Sequence, residues 1–267
     1  MKYFIFLSAF VVSKLTIPML KKFLFKSKCL MKNYRGNLII YGMGIIYVFN
    51  ILLMTMLFFT YFKYIDKNFV LIYLIGVLTM GLVGIIDDFL GSSNVKGFKG
   101  HIKKLINGDL TTGGIKAVFG GLISVFISFL ISKNIFDFVI NFILISLFTN
   151  FINLLDLRPG RALKIHLLIS VIFLILLNGI YDYFLLITMA ITIAYLPYDL
   201  REISMIGDTG ANIIGVTLGI IGTALQLSFK IGLVLFLISV HVYCEKYSLS
   251  DLILKNKILR YIDSIGR

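Results

Sequence analysis

Three short stretches of this 267-residue sequence put carboxylates, amides and glycines at spacings that suit phosphate and divalent-metal chemistry. Asp87-Asp88 lies in GLVGIIDDFLG (81–91), where two adjacent acids meet each other's charge and the negative end of any helix they close. That arrangement is unfavourable unless a cation or a proton compensates it. A cation site is one reading; a pair of acids marking a helix exit into water is the other. In NFINLLDLRPGRALK (150–164), Asn150, Asn153 and Asp156 recur every three residues and form one polar stripe on a continuing helix. Their oxygens are hard ligands suited to Mg²⁺, and amide and arginine donors suit phosphate and base edges. Hydrogen bonding of the asparagines between helices is the alternative. MIGDTGANIIG (205–215) carries Gly207 and Gly210, which let backbone approach a ligand closely, ahead of a helix whose first N–H groups favour phosphate. Asp208 is then either the cap of that helix or a metal ligand beside the phosphate. The stretch KGFKGHIKKLINGDLTTGGIK (96–116) ends on Lys116, whose long side chain can reach the Asp87-Asp88 side. Its other lysines are read as facing headgroups.

The elements that carry these residues are apolar. Hydrophobic residues make up 59% of the chain and charged ones 15%, with mean hydropathy +0.97, whereas soluble domains average about 45–50% and about 25%. The excess falls in blocks long enough to cross a hydrocarbon core about 30 Å thick. Nine spans are predicted, at about 3–20, 38–62, 68–86, 115–131, 135–155, 165–177, 183–197, 212–225 and 229–243. The expected fold is therefore an all-α polytopic bundle, with residues 1–243 a single membrane domain. Of the 26 basic residues, 20 fall after spans one, three, five and seven and in the C-terminal stretch. The positive-inside rule then puts the N-terminus outside and the C-terminus in the cytoplasm. The net charge of +13 is explained by topology, and no nucleic-acid partner is expected. Ten of the thirteen acids share the cytoplasmic side, including Asp87, Asp88, Asp156 and Asp208. Acids contribute little to topology, so one shared site for a magnesium-bound diphosphate is the simplest common cause.

Cys29 and Cys244 come out on the reducing side as free thiols. His101 and His166 are read as interfacial residues, and Gly215 and Gly219 as a small-residue packing face. Residues 244–267 mix bases with Leu252, Ile258, Leu259, Ile262 and Ile265, as in a helix lying on an anionic leaflet.

Taken together, Asp87-Asp88 after the third span, Asn150-x-x-Asn153-x-x-Asp156 after the fifth and Gly207-Asp208-x-Gly210 before the eighth resemble the polyprenyl-phosphate N-acetylhexosamine-1-phosphate transferase superfamily. The likeness runs from about residue 30 to 243. It implies a cytoplasmic groove in which polyprenyl phosphate attacks the β-phosphorus of a UDP-amino sugar, with release of UMP, in a bacterial cytoplasmic membrane. It implies further that Asp208 and Asn153 hold Mg²⁺ and that Asp87, Asp88 and Asp208 act in catalysis. Lys116, Asn150, Asp156, Gly207 and Gly210 would line the substrate site. Where the superfamily has Asp-Gly-x-Asp-Gly, this chain has Asp156-Leu157-Arg158-Pro159-Gly160, with Pro159 in place of the second Asp. The sugar, the pathway and homodimer formation stay open. The rival readings are an ion- or proton-coupled transporter, whose acids would sit nearer the bilayer midplane, and a non-catalytic relative that binds lipid-linked sugars.

Overall fold

The computed structural model describes residues 1–91, 104, 109 and 111–266. The loop lysines Lys96, Lys99 and Lys103 and His101 lie outside these residues. Among the described residues, six helices are long and apolar enough to cross a membrane by length and composition. They include α1 (Lys2–Lys26), the second arm of α2 (Ile45–Leu90), α3 (Thr112–Ile131) and α4 (Ile135–Leu155). The shorter α5 (Arg161–Leu176) leads into α6 (Ile180–Leu200), the shorter α7 (Gly207–Gly222) into α8 (Leu227–Lys246), and α9 (Leu249–Lys255) and α10 (Lys257–Ser264) follow. Each predicted span overlaps one helical segment. Large apolar side chains such as Met56, Phe129 and Ile175 are more than 70% exposed, a surface suited to lipid rather than water.

Two predicted spans are the arms of α2, which breaks at Asp66 with extended backbone (φ −164°). Asp66 Oδ1 accepts from the Phe69 N–H at 3.0 Å and so caps the second arm. The arms run back along each other. Gly44 at the start of the first and Gly84 near the end of the second both lie against the beginning of α7, and Gly81 faces Val48.

The start of the second predicted span, 38–44, is not helical. Leu38–Ile40 forms β2, antiparallel to β1 (Leu30–Lys32). Beyond it, Met43 and Gly44 donate backbone hydrogen bonds to Met205 and Ile206, at 3.1 and 2.8 Å. This small sheet ties the entrance of α2 to the entrance of α7.

The centre of the bundle is α7, packed between α2 and α4. Every residue of it except Asp208 is buried, the polar Thr209, Asn212 and Thr217 included. Backbone meets backbone along it. A Cβ on Gly215 would lie 2.5 Å from Thr149 Cα, and one on Gly219 would lie 2.7 Å from Ile145 Cα. These two glycines thus set α7 against α4 in a fixed register.

Candidate functional site

The residues singled out by the sequence converge at one end of the bundle, where α2, α4, α6 and α8 finish and α3, α5 and α7 begin. Thr111 caps α3, its hydroxyl accepting from the Gly114 N–H at 3.1 Å. Lys116 follows in the next turn. Its ammonium pairs with Asp208 and lies 3.7 Å from Asp87. One cation therefore stands between carboxylates of α2 and α7, with side chains only 18–32% exposed, where solvent screening is partial.

Asp88, next to Asp87, faces the other way. Its Oδ1 accepts from the Asp208 N–H at 2.7 Å, and its Oδ2 from the Thr209 N–H and hydroxyl at 3.1 and 2.6 Å. Tyr41 also hydrogen-bonds to it. Asp88 is thus a cap supplied to α7 from another helix, satisfying N–H groups that α7 cannot satisfy itself. This corrects two expectations. Asp208 is not the cap, since it lies in the first turn of a helix that begins at Gly207. Nor are the N–H groups of Asp208 and Thr209 open to phosphate.

Gly207 and Gly210 serve the same packing rather than the approach of a ligand. Gly207 has φ +68°, and a Cβ there would meet Asp88 Oδ1 at 2.6 Å. A Cβ on Gly210 would meet Ile206 at 2.7 Å and Gly44 Cα at 3.1 Å. Gly84, one turn before Asp88, brings α2 onto Thr209 so closely that a Cβ would lie 2.4 Å from its Cα.

The stripe Asn150, Asn153, Asp156 does not present one face. Three residues advance 300° around a helix, so each step rotates the stripe by about 60°, and α4 ends at Leu155. Asn150 lines a cavity of about 640 Å³ with Asp87, Lys116 and Glu245. Asn153 instead bonds across helices, its Nδ2 donating to Asn212 Oδ1 at 2.7 Å and to the Thr149 carbonyl at 2.9 Å. Its oxygen is the atom left to offer a cation. Asp156 opens on a second cavity of about 170 Å³, with Asn33, Tyr34, Arg158, Pro159, Asp199 and Glu202. Desolvation first, then the charges of Asp199, Asp208 and Asp88, push its carboxyl well above the ordinary value, with Lys116 opposing. Arg158 stacks 4.1 Å from the centre of the Tyr34 ring.

The large cavity changes character with depth. Its polar mouth gives way to Met80, Gly120, Gly121 and Phe142. Met80 lies seven residues, roughly 10 Å of helix, before Asp87, and Phe142 lies eight, roughly 12 Å, before Asn150. Among the described residues no three His, Cys, Asp or Glu side chains gather as a ready-made metal set. Mg²⁺, however, is commonly bound through one or two carboxylates plus water and substrate phosphates. The facing Asp87 and Asp208, bridged here by an ammonium, are donors of that kind.

Several residues at this end were not anticipated. Asp199 accepts from the N–H of Gly160 (φ +72°) and so holds the turn after Asp156. Arg161, buried, forms a two-pronged pair with Asp263 at 2.9 and 3.1 Å, and Lys164 donates to the carbonyls of Ile262, Asp263 and Ile265. The C-terminal segment is thus strapped to the start of α5. His166 is not interfacial. It is fully buried, with Nδ1 bonded to Thr192 Oγ1 at 2.9 Å.

Comparison of the chain with protein-family models and with curated proteins finds no match.

Proposed function

We propose that this chain is an integral-membrane, Mg²⁺-dependent transferase that moves a sugar-1-phosphate, an N-acetylhexosamine-1-phosphate, from a UDP-sugar to polyprenyl phosphate. The observation that carries the reading is the large cavity. At its mouth Lys116 stands between Asp87 and Asp208, and the residues lining it farther in are mostly apolar, with Ser146 among them. A charged rim above an apolar slot suits a ligand that is a phosphate at one end and a hydrocarbon at the other. Nine spans with the N-terminus outside would place this mouth at the cytoplasmic surface, where nucleotide sugars are found.

In this reading an oxygen of the lipid phosphate forms a bond to the β-phosphorus of the donor as the bond to the bridging oxygen breaks, and UMP leaves with that oxygen. A phosphate monoester is largely dianionic at pH 7, so the demand is for charge neutralisation and in-line alignment. Lys116 supplies positive charge to the phosphates. Asp87 and Asp208, with the oxygen of Asn153, would hold Mg²⁺, which when bound neutralises diphosphate oxygens and stabilises the departing UMP. Asn150 reaches the donor at the rim of the large cavity. Asp156 and Arg158 provide polar groups for the nucleotide in the small cavity, beside Pro159. Asp88 positions: by capping α7 it fixes Asp208 opposite Lys116.

Purified protein incubated with undecaprenyl phosphate, Mg²⁺ and a panel of radiolabelled UDP-sugars tests the proposal. Labelled lipid and UMP are expected with at least one donor, and neither with Asp208→Asn. Folded protein that yields no product with any donor, or an Asp208→Asn variant at the wild-type rate, overturns it.

A further inference from the structure

Among the described residues, Glu245 is the one acid lining the large cavity that the reaction above leaves without a task. It lies in the last turn of α8, where the negative end of the helix disfavours an anion. Its side chain is exposed and makes no ion pair or hydrogen bond among the described residues. The helix is seated against α4 by the edge-on contact of Phe236 with Phe151, ring centres 6.0 Å apart. That packing sets Glu245 on the cavity wall together with Asn150 and Leu154. One turn earlier on the same face, His241 uses Nδ1 on the Leu237 carbonyl at 2.7 Å, leaving Nε2 as a buried acceptor without a partner among the described residues.

An ionised carboxylate only accepts hydrogen bonds and repels anions. It cannot face the phosphates, which belong with Lys116. The part of the ligand opposite it must present donors and carry no negative charge. We infer that Glu245 is a specificity-determining residue that accepts hydrogen bonds from the hydroxyl or amide N–H groups of the transferred sugar and excludes sugars bearing a carboxylate. This rests on the transferase reading and narrows its substrate class to neutral sugars. Exclusion of an acidic analogue by a facing charge needs no extra contact with the correct one, because specificity is a difference between two affinities.

The experiment compares kcat/KM for neutral UDP-N-acetylhexosamines with that for UDP-hexuronic acid and for a UDP-sugar carrying a lactyl carboxylate, in wild-type protein and in Glu245→Gln and Glu245→Ala. Wild type should prefer the neutral donors by 100-fold or more. Both variants should lower that ratio at least 10-fold, chiefly by improving use of the acidic donors, while melting stays at the wild-type temperature. A preference unchanged in both variants, or a wild type that favours acidic donors, overturns the inference and leaves the transferase reading standing. A wild type that transfers no sugar at all removes that reading, and this inference falls with it.

Discussion

Adjacent aspartates of identical chemistry have opposite surroundings here, and Asp87→Asn and Asp88→Asn should therefore fail in different ways. Asp88 receives two backbone N–H groups and a hydroxyl at 2.6–3.1 Å, all at the start of the central helix. Asparagine keeps one acceptor oxygen but turns an NH₂ toward donors that the second carboxylate oxygen had accepted. Hydrogen bonds to a charged group contribute about 1.5–3 kcal/mol each, and a stranded buried donor costs about 1–3 kcal/mol. Some donors will be recovered by the remaining oxygen, so the net loss is set at about 2–4 kcal/mol. At about 2–4 °C per kcal/mol for chains of this size, melting falls by roughly 4–16 °C. Asp87 has Lys116 at 3.7 Å and opens on the large cavity. Lys116 keeps its pair with Asp208 in that variant, so replacing Asp87 should shift stability by about 1 kcal/mol or less, while transfer to polyprenyl phosphate is lost. The assay is thermal melting in detergent, followed by tyrosine fluorescence, since the chain has no tryptophan, or by size-exclusion recovery after heating, alongside product formation. Equal melting of the two variants, or a wild-type melting temperature for Asp88→Asn, would refute the assignment of Asp88 to the cap of α7.

Gly207→Ala adds a Cβ 2.6 Å from Asp88 Oδ1 at a backbone φ of +68°. It should destabilise by about 2 kcal/mol, and combined with Asp88→Asn it should cost less than the sum of the two, as measured by a double-mutant melting cycle. Asp263→Ala leaves Arg161 buried without its two-pronged partner, a break that costs about 3–5 kcal/mol when it cannot be relieved. Release of the C-terminal segment relieves it, so limited proteolysis between residues 246 and 266 should accelerate at least tenfold, and unchanged cleavage would exclude the strap. Asp156 has its folded-state pKa raised, mainly by desolvation. Its ionised form therefore lowers stability as pH rises from the ordinary carboxylate range through the raised value. In metal-free buffer Asp156→Asn should melt higher than wild type at pH 8 and lose that advantage as pH falls toward 4; an advantage that grows on acidification would reverse the sign.

What hydropathy reports is where a segment lies relative to lipid, and that part of the fold is written plainly in the sequence. Among the described residues, apolar blocks mark nine of the eleven helical segments, all but the short α9 and α10, and Asp66 marks the break between the arms of α2. The approach of Asp87, Lys116 and Asp208 was also legible, because residues that share one end of a bundle have few places to go. The roles within the site were less so. Asp88 and Gly207 look like ligand-binding residues in isolation. Only the close approach of α2 to α7, permitted by Gly84 and Gly44, turns them toward each other. Spacing alone put Asn150 and Asp156 on one stripe, but the end of α4 at Leu155 and 120° of accumulated rotation send them to different cavities. The pairing of Arg161 with Asp263 spans about a hundred residues, and no local pattern encodes it. His166 reads as interfacial from its place at a span entrance, two residues after Lys164, and only the packing of α5 on α6 puts it beside Thr192 in the core.

The central position of α7 has a consequence for how the protein is made. At 16 residues it is roughly 24 Å long, short of a hydrocarbon core about 30 Å thick, and it carries Asn212, Thr217 and five glycines besides the Asp208 at its tip. Such a segment gains little by partitioning into lipid on its own. Its neighbours α2 and α4 leave the ribosome well before it, and in the folded chain it packs against them at Gly76, Gly84, Ile145 and Thr149. Insertion of α7 is thus expected to be a late docking step into a waiting slot. Because Asp208 lies at the tip of this helix, its pairing with Lys116 cannot form until α7 has been made and docked.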